Sequence, residues 1–245
     1  MHPLLEQTGH RTAPLPSAPW IMVQRWHDLL FAHWALPPEQ VRPLVPPELD
    51  LDVRQGKAWV GVVPFWMSGI RGRGMPRLPG LSTFPELNVR TYVTCRGVPG
   101  VYFWSLDAAS RLAVWGARTF YALPYFPAEM SIQSAGQEFR YSCRRLEGPL
   151  PADFRGRYRP LAVPRVREKY SLESFLTDRY CLYTVQQGKV YRAYIHHLPW
   201  PLQDAEAEID VNTMAQAAGI SLPASGPLLH FSRELEVLIW WPEWA

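Results

Sequence analysis

The sequence predicts an α+β domain that is mainly antiparallel β, a sheet or barrel carrying a few short helices. Three observations predict it. Strand-like runs fold back on themselves at glycine-containing steps, Gln55-Gly56, Arg96-Gly97-Val98-Pro99, Ala135-Gly136 and Gln187-Gly188, where glycine supplies the positive φ of a tight turn. Helix signals are few and short. The 25 prolines and the 13% aromatic content suit strand ends, sheet faces and apolar pockets.

Residues 1–19 are polar and Pro-rich and read as a flexible N-terminal arm or a surface strap, with one domain from 20 to 245. Met22 to Trp34 is strand-like. Pro37-Pro38 opens a short helix to about residue 44, since proline is tolerated in the first turn. Leu51 to Val53 and Ala58 to Met67 read as a hairpin. The second arm, AWVGVVPFWM, is apolar on both faces and therefore central, and Pro64 implies a bulge or strand end. The Gly/Pro-rich stretch 69–83 is long enough for a gating loop. Strands 86–95 and 100–106 pair, and Asp107 reads as the N-cap of a helix over 108–115. A hairpin spans 129–147, a Pro/Arg loop 148–168 and a Ser171-capped helix 171–176. A further hairpin covers 179–197, a helix capped by Asn212 and ended by Gly219 follows, and the last strand is 230–240.

Composition narrows the function classes. The net charge of +3 is small, and the five arginines between 155 and 167 read as a solvated loop without a nucleic-acid motif, so no nucleic-acid partner is expected. No run of 18 apolar residues occurs, and neither a membrane partner nor a signal peptide is expected. Cys95, Cys143 and Cys181 form no CxxC and read as reduced structural thiols of a cytoplasmic protein. No HxH or HExxH spacing occurs, so no metal or other cofactor is expected.

The candidate chemistry lies in PELNVRTYV. Glu86, Asn88, Arg90 and Tyr92 recur at period two and share a strand face, either solvated or forming one wall of a cavity. In a cavity, desolvation would raise the pKa of Glu86 unless Arg90 paired with it. His196 and His197 are adjacent and point to opposite faces, with His197 an anchor for the following turn or a hydrogen-bonding group of the pocket. Lys57 and Lys189 follow turn glycines and Lys169 precedes a short helix; all three read as solvated.

Six motifs in order, RWHDLLFAHWALPPEQVRPLVPPELDLDV, WVGVVPFWM, FPELNVRTYV, GVYFWSLDAAS, ARTFYALPYF and HHLPWPLQ, resemble the YqjF-like family (DUF2071), whose function is unknown. That family is similar to the acetoacetate decarboxylase superfamily, and the resemblance implies a bent antiparallel β-barrel with a central cavity. Those decarboxylases carry a pocket glutamate in an aromatic-x-Glu motif and a lysine just after a Gly-x-Pro turn. Phe84-Pro85-Glu86 looks like the first. Ala122-Leu123-Pro124-Tyr125 looks like the second, with Tyr125 where the lysine would be. A phenol forms no imine with a ketone, which argues against acetoacetate decarboxylation by the family mechanism. The resemblance makes Glu86 and Tyr125 the candidate catalytic pair, with Asn88, Arg90, Arg118, Tyr121 and His197 as candidate ligand-binding residues.

Three readings stay open. The first is a barrel that binds a small carboxylate or carbonyl compound, such as an oxo- or hydroxy-acid, without the Schiff-base lysine. The second is a lyase, isomerase or hydratase using Glu86 and Tyr125 for proton transfer. The third is a structural or interaction protein. Whether the chain forms a homo-oligomer also stays open.

Overall fold

The computed structural model of the chain describes residues 2–76 and 82–245. The elements run β1 (Met22–Leu36), α1 (Pro38–Val41), β2 (Asp50–Leu51), β3 (Ala58–Gly72), β4 (Phe84–Cys95), β5 (Val98–Ala108), α2 (Arg111–Tyr121), β6 (Tyr125–Ala135), β7 (Glu138–Arg145), β8 (Asp153–Pro160), β9 (Arg165–Val166), α3 (Leu172–Thr177), β10 (Cys181–Gln186), β11 (Lys189–His196), β12 (Pro201–Asn212), β13 (Leu228–Ile239) and β14 (Glu243–Trp244). Among the described residues the strands form one 14-stranded sheet. Its pairings are antiparallel except β5 with β6 and β5 with β10.

The sheet branches at β5 and β13, and so closes into two rings. One runs β1, β3, β4, β5, β10, β11, β13 and returns to β1; the other leaves β5 through β6, β7, β8 and β12 to reach β13. The strands β13, β1, β3, β4 and β5 are a wall common to both. The period-two alternation of a strand divides their side chains between the two interiors. In β1, Leu30 and Ala32 join the core with Phe139, Tyr141, Tyr158 and Phe231, while Leu29 and Phe31 face the other ring with Phe65, Trp200 and Val237. In β4, Leu87 and Val89 face the first of these cores.

Two irregularities adjust the wall. Pro64 has no N–H to give to β1, and the register of β1 against β3 slips between His27 and Ala32. The extra residue is accommodated near Asp28 (φ 50°), whose carboxylate accepts from Trp66 and Arg233, each at 2.8 Å. At Gly100, a Cβ would lie 2.6 Å from the Cys181 carbonyl oxygen; only glycine lets β10 approach β5 this closely.

Several expected elements differ. β2 pairs with β4 rather than β3, and the expected hairpin there shrinks to a single bridge, Arg54 with Lys57, around Gln55-Gly56. Ser110, not Asp107, caps α2, its Oγ accepting from the Ala113 N–H at 3.3 Å, and the helix runs on to Tyr121. The Pro/Arg loop contains β8 and β9. Arg155, Arg157 and Arg159 alternate with buried Phe154, Gly156 and Tyr158, and Arg157 and Arg159 pair with Glu208 and Glu206 of β12. Asn212 ends β12 instead of capping a helix; only a 3-10 turn, Gln216–Ala218, precedes Gly219. Of the expected loop 69–83, residues 69–72 extend β3, and 77–81 lie outside the described residues. Residues 2–19 pack on the body: Arg11 is buried, donating to the Ile195 carbonyl at 2.9 Å, and the Trp240 indole donates to the Ala18 carbonyl at 2.7 Å. All three cysteines are free and buried.

Asp107, freed from the capping role, lies fully buried in β5. It accepts both Nε and an Nη of Arg145 from β7, at 2.7 and 2.8 Å. Burial pushes its carboxyl up, and the guanidinium opposes this. Replacing Asp107 by Ala strands a buried guanidinium, and the expected loss is ~3–5 kcal/mol of unfolding free energy. Urea denaturation of D107A reads it; a midpoint equal to that of the parent protein would refute the structural role assigned to the pair.

Candidate functional site

Every strand of the seven-stranded ring contributes to the lining of a cavity of about 340 Å³, and α2 covers one side. The wall is mainly apolar. Trp26, Phe65, Phe84, Phe103 and Trp200 supply rings, and the polar groups are concentrated on β4 and the segment before β10.

Glu86, Asn88 and Arg90 face the cavity from β4 at alternate positions. Glu86 is 3% exposed. Tyr125 reaches it because α2 ends in a left-handed Ala122 (φ 53°), after which Leu123-Pro124 turn the chain beside β5, with the Leu106 N–H donating to the Pro124 carbonyl at 3.0 Å. The Tyr125 hydroxyl donates to Glu86 Oε2 at 2.7 Å. From the other ring, the Tyr141 hydroxyl lies 2.7 Å from the Glu86 carbonyl oxygen and 3.0 Å from that of Phe65, which fixes the backbone under the carboxyl.

The competition over Glu86 is decided by desolvation. Burial raises its pKa from 4.5 to about 8; the Tyr125 hydrogen bond opposes the rise and the nearby Asp107 charge adds to it. Arg90 does not pair with it. The Arg90 guanidinium turns toward the Leu176 carbonyl, 3.4 Å away, and lies 5.5 Å from the centroid of Phe31. Glu86 is therefore mainly a neutral acid at pH 7. Burial and the neighbouring carboxyl hold the Tyr125 phenol well above its ordinary range.

His197 and Tyr121 also line the cavity. Burial lowers the His197 pKa to about 3, so the ring is neutral. Its Nδ1 donates to the Leu198 carbonyl at 2.7 Å, leaving Nε2 as an acceptor. The residue thus anchors the turn and borders the pocket. Tyr121 stacks on Trp241 with ring centroids 6.0 Å apart. Arg118 is exposed on α2, donates Nε to the Tyr125 carbonyl at 2.6 Å, and lies outside the cavity lining. Tyr92 shares the face of Arg90 but lies under α3, hydrogen-bonded to the Leu176 carbonyl and to His33. Lys57, Lys169 and Lys189 are exposed, and none lines the cavity. Among the described residues, no three His, Cys, Asp or Glu side chains converge as a metal site.

Arg179 was not among the sequence candidates. It lies between α3 and β10, borders the cavity, and is buried. It donates to Asp52 and to the Phe175 carbonyl, each at 2.7 Å, and stacks 4.2 Å from the Phe175 centroid. Its signal in the sequence, a lone Arg at a strand start, does not distinguish it from 21 other arginines.

The closed sheet has an acetoacetate decarboxylase-like fold. Acetoacetate decarboxylase from Legionella pneumophila aligns with a TM-score of 0.65 at 11% identity, covering 96% of this chain and 92% of that one. An acetoacetate decarboxylase-like enzyme from Sphingomonas wittichii RW1 aligns at 0.63 and 10%, covering 96% and 98%. The enduracididine biosynthesis enzyme MppR, complexed with the condensation product of pyruvate and imidazole 4-carboxaldehyde, aligns at 0.62 and 9%, covering 93% and 90%. Within this fold, the chain belongs to DUF2071, a family of uncharacterised conserved proteins, whose model matches residues 23–236. The uncharacterised protein YqjF of Bacillus subtilis (strain 168) is 48% identical over 237 residues, 97% of this chain and 98% of that protein.

The Glu86 shift fixes a pH dependence of stability. Unfolded, the carboxyl titrates near 4.5; folded, near 8. Between these values the folded chain holds a proton that the unfolded chain releases, so rising pH weakens the fold until about pH 8. Glu86→Gln keeps an acceptor for Tyr125 and removes the titration. The variant is expected to gain on the parent protein progressively from pH 5 to pH 8, by a few kcal/mol. Parallel melting curves for the two proteins across that window would contradict the burial assigned to Glu86.

Proposed function

We propose that the cavity binds a small carbonyl or carboxylate compound with an apolar body, without imine chemistry. The single observation that supports this is the apolar-walled cavity in which the Glu86–Tyr125 pair is one of few polar features. MppR, of the same fold, is known in complex with pyruvate. A carbonyl or hydroxyl oxygen of the ligand would meet the Glu86 acid, and a carboxylate would meet the Arg90 and Arg179 side. The absence of imine chemistry is supported by the exposure of all three lysines, none of which lines the cavity.

A second reading is favoured by one observation, a carboxyl held neutral at pH 7 inside an apolar pocket. Tyr125 occupies Oε2, so the acid proton on Oε1 can be given to a ligand oxygen or carbon, and the resulting carboxylate is stabilised by the Tyr125 hydroxyl. This is proton transfer of the lyase, isomerase or hydratase type.

A thermal-shift series with oxo- and hydroxy-acids tests binding: a ligand selective for the folded state raises the melting temperature. Borohydride treatment with acetoacetate is expected to leave every lysine unmodified. A trapped lysine adduct, or no melting shift with any acid, defeats the binding proposal as stated. If turnover is found with Glu86 as the acid, kcat/KM is expected to fall as pH rises through about 8. Glu86→Gln should then retain ligand binding and lose turnover.

A further inference from the structure

One face of the molecule carries a large apolar patch that continues into the cavity. α2 turns Ala113, Gly116, Ala117 and Phe120 toward the cavity, and its apolar stripe runs on into solvent at Leu112 and Trp115, 55% and 58% exposed. Phe120 and Trp241 form the lip, both lining the cavity and both more than half exposed. Trp115 meets Phe120 edge-on at 5.9 Å between centroids, and Phe120 meets Trp241 at 6.1 Å. Scattered exposed apolar residues need no explanation, but four in one connected patch mark a contact surface.

The charge around the patch has one sign. Between Asp107 and Glu129 the chain has no acidic residue, and those two are already paired with Arg145 and Arg144. Arg111 and Arg118 are exposed on α2. Across the lip, Ile21 and Ile70 line the cavity, and Arg73 stands exposed 5.4 Å from the Trp20 ring. No acidic residue occurs between Asp52 and Glu86. Glu243, near Trp241 in sequence, is held by Arg192 at 2.8 Å.

We infer that this face docks on an anionic lipid surface, with Leu112, Trp115, Phe120 and Trp241 entering the headgroup region and the arginines meeting lipid phosphates. Aromatic side chains with a basic rim suit that boundary. A second copy of the chain suits it less. A two-fold contact would set the arginines of one copy against those of the other, with no unpaired carboxylate in the patch to meet them. The lack of an 18-residue apolar run excludes a spanning helix and does not bear on surface contact. Because the lip belongs to the patch, the cavity would open toward the acyl chains, and an apolar ligand could enter without crossing water.

Co-sedimentation of the full chain with phosphatidylcholine vesicles, and with phosphatidylcholine–phosphatidylglycerol vesicles, tests this. The protein is expected to bind the mixed vesicles and to release as salt rises. Trp115→Ser, at a position outside the cavity lining, is expected to weaken partitioning at least ~tenfold. Arg111→Glu is expected to weaken it toward the anionic vesicles; an acid in the first turn favours the helix, so lost folding would not explain the effect. Thermal melts verify that both variants fold. Absence of the protein from both vesicle pellets, or equal binding by Trp115→Ser, overturns the inference. So does a dimer in sedimentation velocity that Trp115→Ser dissolves while vesicles are ignored, which would assign the face to a second copy.

Discussion

The fold depends on a wall shared by two interiors, reaching solvent only toward its ends and at Arg233–Glu234. β13, β1, β3, β4 and β5 are shared by two closed rings, so the buried residues along their central stretches are committed to one of two interiors. A one-residue slip of any of these strands would exchange both sets of side chains at once. Filling differs between the two sides. The interior toward β7 and β8 is packed with stacked aromatics, Phe139 lying 5.5 Å from both Tyr158 and Phe231. The other keeps its 340 Å³ open. The same alternation that buries Leu87 and Val89 on the packed side puts Glu86, Asn88 and Arg90 on the open one.

That placement determines the electrostatics of Glu86. A carboxylate taken from water into an apolar space is costly unless a cation comes with it, and otherwise the group takes up a proton. The nearby Asp107 charge pushes in the same direction, while its own cation, Arg145, is locked bidentate from the neighbouring ring. Asp107 thus joins the two halves of the structure in a second way. It pins β7 to β5, and it helps to keep Glu86 protonated.

What was legible in the sequence follows from how local each signal is. The turns at Arg96-Gly97 and Gln187-Gly188 carry their own geometry, with positive φ at both residues of each pair, and their hairpins form as read. The polar face of β4 was legible because period two is a property of a single strand. β12 was not recognised: its sequence, PLQDAEAEIDVN, is rich in Asp, Glu and Ala, residues with weak strand preference, and it forms a strand because the arginines of β8 face its glutamates. β8 was missed for the matching reason. Gly156 looks like a loop residue until β12 is in place, where a Cβ would lie 2.7 Å from the Glu208 carbonyl oxygen. Asp107 and Ser110 are both good caps, and only the distant Arg145 decides between them. Arg179 and Arg118 are likewise separated by tertiary contacts alone.

The two residues the resemblance points to, Glu86 and Tyr125, meet at one end of the cavity. A lysine ammonium in place of the Tyr125 hydroxyl, 2.7 Å from Glu86, would have held the carboxyl ionised. A phenol leaves this end of the cavity without charge at pH 7. At the other end, Arg179 is matched to Asp52, while among the described residues Arg90 meets the Leu176 carbonyl, Phe31 and Tyr92 and pairs with no carboxylate. The cavity is therefore polarised, with an uncharged acid at one end and an incompletely matched guanidinium at the other. Under the binding role proposed above, this polarity would orient a ligand with a neutral acceptor at one end and an anionic group at the other, between aromatic walls.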